Sequence, residues 1–352
     1  MRRLFLCSLF LAGVVPVGAF QPGPSAKAVG VRVPVGLSES LWAKRIPKDN
    51  PLSREKIALG RALYFDKRLS IDGTVSCATC HDPALAFTDA NVVSLGGRET
   101  RGTRNAPTIL NTAFNQIFFW DGRARSLEEQ VKHPLLSPLE MGMTSEKNLV
   151  ARLASIPEYQ KQFKQVFKAD GLTIDTIAKA IAAYERTLLS GNAPFDRFIA
   201  GQQAAISDAQ KRGWELFKGK ARCSECHTYT AQNQFFTDFN FHNTGVGFSE
   251  PGRFAVTLQP ADSGAFKTPT LRDLELTAPY MHDGSIKTLI DVVQFYNRGG
   301  NANKYLDKRI HPLQLSDVEV NDLVQFLRAL TSDDILRQCQ STTPQTRVAV
   351  PF

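Results

Sequence analysis

The chain has 352 residues, 43% of them hydrophobic and 22% charged, which allows two ordinary domains with buried cores and excludes a disordered chain. The net charge of +8 comes from Lys and Arg residues scattered without a basic run, which suits a solvated surface or the steering of an acidic protein and argues against nucleic-acid binding. Beyond the N-terminus no stretch of 18 apolar residues occurs, so no membrane-spanning helix is expected there.

Residues 1–19 read as a secretory signal peptide. Arg2 and Arg3 precede an apolar run from Leu4 to about Val17, and Val17-Gly18-Ala19 offers the small residues of a cleavage site. Cleavage would remove Cys7 and deliver the mature chain to the periplasm. Five of the six cysteines then remain.

A first unit, residues 20–195, opens with Gly60-Arg61-Ala62-Leu63-Tyr64-Phe65, a helical segment leading to Cys77-Ala78-Thr79-Cys80-His81. In such a motif the two thiols add across haem vinyl groups and the adjacent His reaches the iron. A zinc site built from Cys pairs is the competing chemistry. Export and a second copy of the whole pattern oppose it. Loops rich in Gly, Pro and Asn follow, such as Ser94 to Ala106, without a strand pattern. Ile174, Ile177, Ala178, Ile181 and Tyr184 recur at helical spacing and close the unit. Gly191, Asn192, Pro194 and Gly201 cluster where the chain is expected to divide.

The second unit, residues 196–340, repeats this order. Gly213-Trp214-Glu215-Leu216-Phe217 leads to Cys223-Ser224-Glu225-Cys226-His227, a loop region runs from Phe241 to Pro269, and Val318, Leu323, Phe326, Leu327 and Leu330 form a closing helix after Ser316 as N-cap. Residues 341–352 are a tail. Cys339 is expected to be a free, partly buried thiol. The expected fold is all-α: two cytochrome c-like domains, each wrapped around one covalently attached haem c, with long loops. Four other histidines (His133, His242, His282, His311) and three methionines (Met141, Met143, Met281) could complete the iron coordination, and no spacing rule selects among them.

The chain resembles the bacterial di-haem cytochrome c peroxidase/MauG family over nearly all of its mature length. The resemblance rests on both haem motifs, Asn105-Ala106-Pro107-Thr108, Phe119-Trp120-Asp121-Gly122-Arg123-Ala124, Leu127-Glu128-Glu129-Gln130, Glu140-Met141-Gly142, Glu185-Arg186-Thr187-Leu188 and Thr277-Ala278-Pro279-Tyr280-Met281-His282-Asp283-Gly284. It implies that Trp120 relays electrons between the haems. It implies that Gln130 and Glu140 line the distal face of the first haem, with Glu140 moving protons as peroxide is cleaved. It further implies a calcium ion held by Asn105 and the carbonyls of Thr277 and Pro279, oxygen donors that suit this ion. His133, close in sequence, could enter the same pocket or lie at the surface.

Two departures from the peroxidase pattern set expectations. The loop Ser94-Leu95-Gly96-Gly97-Arg98-Glu99 lacks the distal His of peroxidases, so the first haem is expected to be open to hydrogen peroxide at rest. Tyr296, 14 residues after His282, stands where peroxidases place an axial Met and MauG-like members a Tyr. An anionic phenolate lowers the potential of its haem and favours higher oxidation states. By spacing alone, Tyr296 reads as a packing residue on an apolar helix stripe; the resemblance makes it a ligand. MauG itself carries a Trp two residues before its second motif; Ala221 stands there in this chain, and Trp214 reads as core. The resulting expectation is an enzyme that uses peroxide to form a high-valent two-haem state and oxidises Trp or Tyr side chains of a periplasmic partner protein at long range. The alternative is a peroxidase drawing electrons from a small periplasmic redox protein.

Overall fold

A computed structural model describes residues 25–247 and 249–341. The expected signal peptide lies outside these residues, as does the expected tail apart from Ser341. The expected all-α architecture is observed. The strands present are two residues long, Phe241–His242 antiparallel to Phe266–Lys267, with Phe241 opposite Lys267. Among the described residues no helix is long and apolar enough to cross a membrane.

Two helix pairs carry the fold, and the sequence repeat marks both. The leading helix Arg54–Phe65 begins at Ser53, whose hydroxyl accepts from the Lys56 N–H. It crosses the closing helix Ile174–Glu185 at Gly60, so closely that a Cβ there would lie 1.8 Å from the Ala180 carbonyl oxygen. In the second unit Asp208–Lys218 crosses Asp317–Arg328 at Gly213, where a Cβ would lie 2.0 Å from the Asp322 oxygen. The repeated glycine is thus a contact point between backbones. Ser316 caps its helix as its position predicts, and Glu319 returns the bond: its Oε2 accepts from the Ser316 N–H at 2.8 Å.

Each pair organises an apolar core. Leu59, Leu63, Leu135, Leu149, Phe163 and Ile177 belong to the first; Phe195, Phe217, Phe236, Leu323 and Phe326 to the second. The division expected at 195/196 falls inside the short helix Pro194–Ile199. Phe195 is fully buried in the second core and its N–H donates to the Ala329 carbonyl, so the chain changes unit just before this helix. Asp196 on the same helix forms a buried two-toothed pair with Arg272, at 2.8 and 2.9 Å.

The last helix, Asp333–Ser341, returns to the first unit. Ile335 and Cys339 pack with Tyr64, Phe87 and Ile109, and Gln338 Nε2 donates to the Pro83 carbonyl at 2.7 Å. Cys339 is a free, partly buried thiol. The C-terminus of the second unit therefore covers the segment that follows the first haem motif.

Candidate di-haem site

A single cavity of about 650 Å³ runs through the interior, and both Cys-x-x-Cys-His motifs line it, through Cys80 and His81 on one side and Cys223, Cys226 and His227 on the other. Cys77 packs beside it with Tyr64 and Tyr184. The first motif forms a short helix, Cys77–Cys80, whose start is fixed by the Ser76 N–H donating to Thr79 Oγ1 at 2.9 Å. Tyr64 on the leading helix donates to the His81 carbonyl at 2.5 Å, so the helix pair sets the motif's position.

Both histidines are prepared for a metal. His81 Nδ1 lies 3.2 Å from the Phe87 carbonyl, and His227 Nδ1 lies 2.8 Å from that of Phe236. With Nδ1–H donating, the Nε2 lone pair is left for iron. Burial lowers the pKa of both rings and keeps them neutral, the form that binds a metal. All four motif cysteines are unpaired. Paired thiols, an oriented imidazole and a largely apolar cavity wall fit two covalently held haem c groups.

The wall beside the first motif carries the expected acid–base residues. Gln130 lines it from the helix Leu127–Leu136, capped by Ser126. Glu140 lines it four residues beyond that helix. Burial raises the Glu140 carboxyl, opposed by its hydrogen bond with Ser137 and the charges of Arg123 and His133. The loop without a histidine packs onto the same residue: Gly97 N–H donates to the Glu140 carbonyl at 2.6 Å, and a Cβ on Gly96 would lie 2.2 Å from the Leu139 oxygen. His133 is exposed, its ring edge against Phe119 at 5.2 Å between centroids, so of its two expected positions it takes the surface.

Trp120 lines the same cavity and is fixed from both units. Its Nε1 donates to the Asn105 carbonyl at 2.9 Å, and its own carbonyl accepts from the Lys267 N–H at 2.8 Å. The His282 ring stands edge-on to it at 6.4 Å and stacks on Phe266 at 3.5 Å.

Tyr296 lines the cavity from the helix Leu289–Asn297. Burial pushes its phenol pKa up, and the neighbouring Cys226 and Cys223 add to this. The cysteines' influence places Tyr296 beside the second motif. A bound Fe(III) would oppose the burial and favour the phenolate. Met281 also lines the cavity, whereas Met141 and Met143 are buried in the first core, each 4% exposed.

Asn105, Thr277 and Pro279 all line this cavity. Among the described residues, no donor reaches Asn105 Oδ1 or the carbonyls of Thr277 and Pro279. Three uncommitted oxygens of this kind fit a hard cation such as calcium.

Arg104 and Lys267 on this wall escaped sequence reasoning, and His242, a candidate iron ligand there, takes another place. Arg104 joins the units by pairing with Asp121 at 2.7 Å and with Glu250, a partner 146 positions away that no local pattern reveals. His242 is held between Asp238 and Asp307, 2.8 Å from each, and lies with Cys226 at metal-binding distances. That sulfur belongs to the haem motif, so the group does not read as a separate metal site.

The comparisons agree with this geometry. Residues 54–204 match the family model described as di-haem cytochrome c peroxidase. The chain is 42% identical over 291 residues to methylamine utilization protein MauG of Methylorubrum extorquens, covering 82% of this chain and 81% of that protein. It is 38% identical over 329 residues to cytochrome-c peroxidase IdrP1 of a Pseudomonas species, covering 85% and 86%. Among solved structures, a MauG-like protein associated with microbial copper homeostasis superposes with a TM-score of 0.76 at 34% identity, covering 86% of this chain and 95% of that one. With two haem motifs on one cavity and relatives of this identity along most of its length, the chain belongs to the di-haem cytochrome c peroxidase/MauG family and is a peroxidase-type oxidoreductase.

Proposed function

We propose that this enzyme uses hydrogen peroxide to oxidise a partner protein in the periplasm, at Trp or Tyr side chains, by long-range electron transfer. Two haems, attached at Cys77, Cys80 and His81 and at Cys223, Cys226 and His227, supply the peroxide reduction and the storage of oxidising power when bound. The rest of the work falls to side chains. Glu140, its carboxyl raised by burial, passes a proton between the two oxygens of peroxide, the role of a general acid–base. Gln130, on the same wall, orients the peroxide. Trp120, locked between Asn105 and Lys267, offers an oxidisable ring between the units without reorganisation. Asn105, Thr277 and Pro279 would hold a calcium ion, which would tie Trp120's hydrogen-bond partner to the second unit.

Tyr296 is the observation that carries this reading. A half-buried phenol beside Cys223 and Cys226, taken as second ligand of that haem, favours stored oxidising power over simple electron carriage. The similarity to two proteins named MauG, at 42% and 41% identity, supports it. The similarity to cytochrome c peroxidases at 36–38% supports the alternative, in which a small redox protein supplies the electrons. Peroxide titration in the presence of reduced cytochrome c separates them. Slow consumption of cytochrome c, with a long-lived oxidised enzyme that decays on adding its protein substrate, is expected. Rapid, stoichiometric oxidation of cytochrome c would overturn the proposal in favour of the alternative.

A further inference from the structure

Six Lys or Arg side chains line the cavity. Five are arginines, and each meets a carboxylate: Arg104 with Asp121, Arg123 with Asp121, Arg222 with Glu225, Arg272 with Asp196 and Arg309 with Asp307. The sixth is Lys267. Among the described residues no acceptor lies within hydrogen-bonding reach of its Nζ. A cation taken out of water without a partner costs several kcal/mol, so proteins either pair it or leave it in solvent. Lys267 is only partly accessible, and it opens onto the cavity.

Two features place this ammonium next to the second motif. Its backbone lies in the strand Phe266–Lys267, opposite Phe241 and one position from the partner of His242, whose ring lies beside Cys226. The charge felt most at Lys267 is that of Asp238, whose carboxylate is already committed to His242 at 2.8 Å. The group that enters this cavity carries its own anions, the two propionate carboxylates of haem.

We infer that Lys267 Nζ binds a propionate carboxylate of the second haem and, as the cation facing it, raises that haem's reduction potential. Burial, opposed by the Asp238 charge, pulls the ammonium down to about 8. A carboxylate alongside would act in the opposite direction and keep Lys267 charged at neutral pH. The same residue's main-chain N–H holds the Trp120 carbonyl, so the charge and the relay side chain share one anchor. A positive charge beside the porphyrin favours Fe(II) over Fe(III), because reduction removes one positive charge from the iron.

The holoenzyme tests this by potentiometric titration and resonance Raman spectroscopy of wild type, K267M and K267R. At fixed potential, K267M is expected to shift the Fe(III)/Fe(II) ratio of one haem at least tenfold toward Fe(III), which is 59 mV for a one-electron couple. The other haem should move less, and K267R should stay within threefold of wild type. The haem propionate bending band should move in K267M and return in K267R. The backbone bond to Trp120 survives every variant, so a loss of melting temperature with an unchanged ratio would overturn the inference. A shifted ratio with an unmoved propionate band would overturn the contact. If K267M fails to take up haem, K267Q decides by the same two readouts.

Discussion

Replacing Gly60 or Gly213 by Ala tests the packing on which both haem motifs depend. In an isolated helix the change is favourable by about 0.5–1 kcal/mol, because Gly loses more backbone entropy than Ala. In this fold the added methyl would meet the Ala180 oxygen at 1.8 Å or the Asp322 oxygen at 2.0 Å, far inside van der Waals contact. The opposing atom is helix backbone and cannot rotate away, so the helices must separate by at least about 1 Å along their shared interface. Overpacking of this kind costs about 1–3 kcal/mol, and a collision with backbone belongs at the upper end. A net loss of about 2 kcal/mol lowers the melting temperature of a unit of 150–250 residues by roughly 4–8 °C. Circular dichroism melts of the holoprotein at fixed pH measure it. An unchanged or raised melting temperature would mean that helix preference outweighs the crossing, and that the backbones give way at no cost.

Four further outcomes follow from the same physics. Glu140→Gln, which keeps shape and removes the ionisable proton, should slow peroxide consumption about 10²-fold in stopped-flow measurements, and an equal rate would remove Glu140 from the mechanism. Asp196→Ala should destabilise the fold by about 3–5 kcal/mol in chemical denaturation, because it strands Arg272, whose side chain is 2% exposed. Glu185 is buried, and burial raises its carboxyl to about 8 from an ordinary value near 4.5. The folded state keeps a proton that the unfolded chain releases, so stability falls as pH rises from about 4.5 to 8; Glu185→Gln should gain melting temperature over wild type at pH 8 relative to pH 5. Chelation with EGTA should depress peroxide turnover, with calcium restoring it and magnesium failing to, since a site of backbone and amide oxygens suits the larger, less strictly octahedral ion.

The parts legible in the sequence are those carried by local chemistry. Cys77 to His81 and Cys223 to His227 state their ligand through covalent requirements that no other spacing meets. Gly60 and Gly213 open the two copies of a repeated segment, though the helix crossing they make shows only in the structure, and Ser316 announces a helix start through its own hydroxyl. What stayed hidden depends on pairs of residues distant in the chain. The segment around Ile335 and Cys339 looks like a continuation of the second unit, yet its partners are Tyr64, Phe87 and Ile109. Phe195 sits at a Pro- and Gly-rich boundary by composition, but its ring lies among Trp214, Tyr229, Phe236 and Phe326. Lys267 has nothing unusual around it in sequence. Its isolation appears only when the partners of the other cavity cations are in view.

Tyr296 is the residue on which the account turns, and spectroscopy of the ferric holoprotein addresses it most directly. An iron–phenolate charge-transfer band and its resonance Raman modes are expected in wild type, lost in Tyr296→Phe and retained in Met281→Leu, with both haems still attached. A wild-type spectrum without that band, or one kept in Tyr296→Phe and lost in Met281→Leu, would contradict phenolate ligation and make the second haem that of an electron-accepting peroxidase.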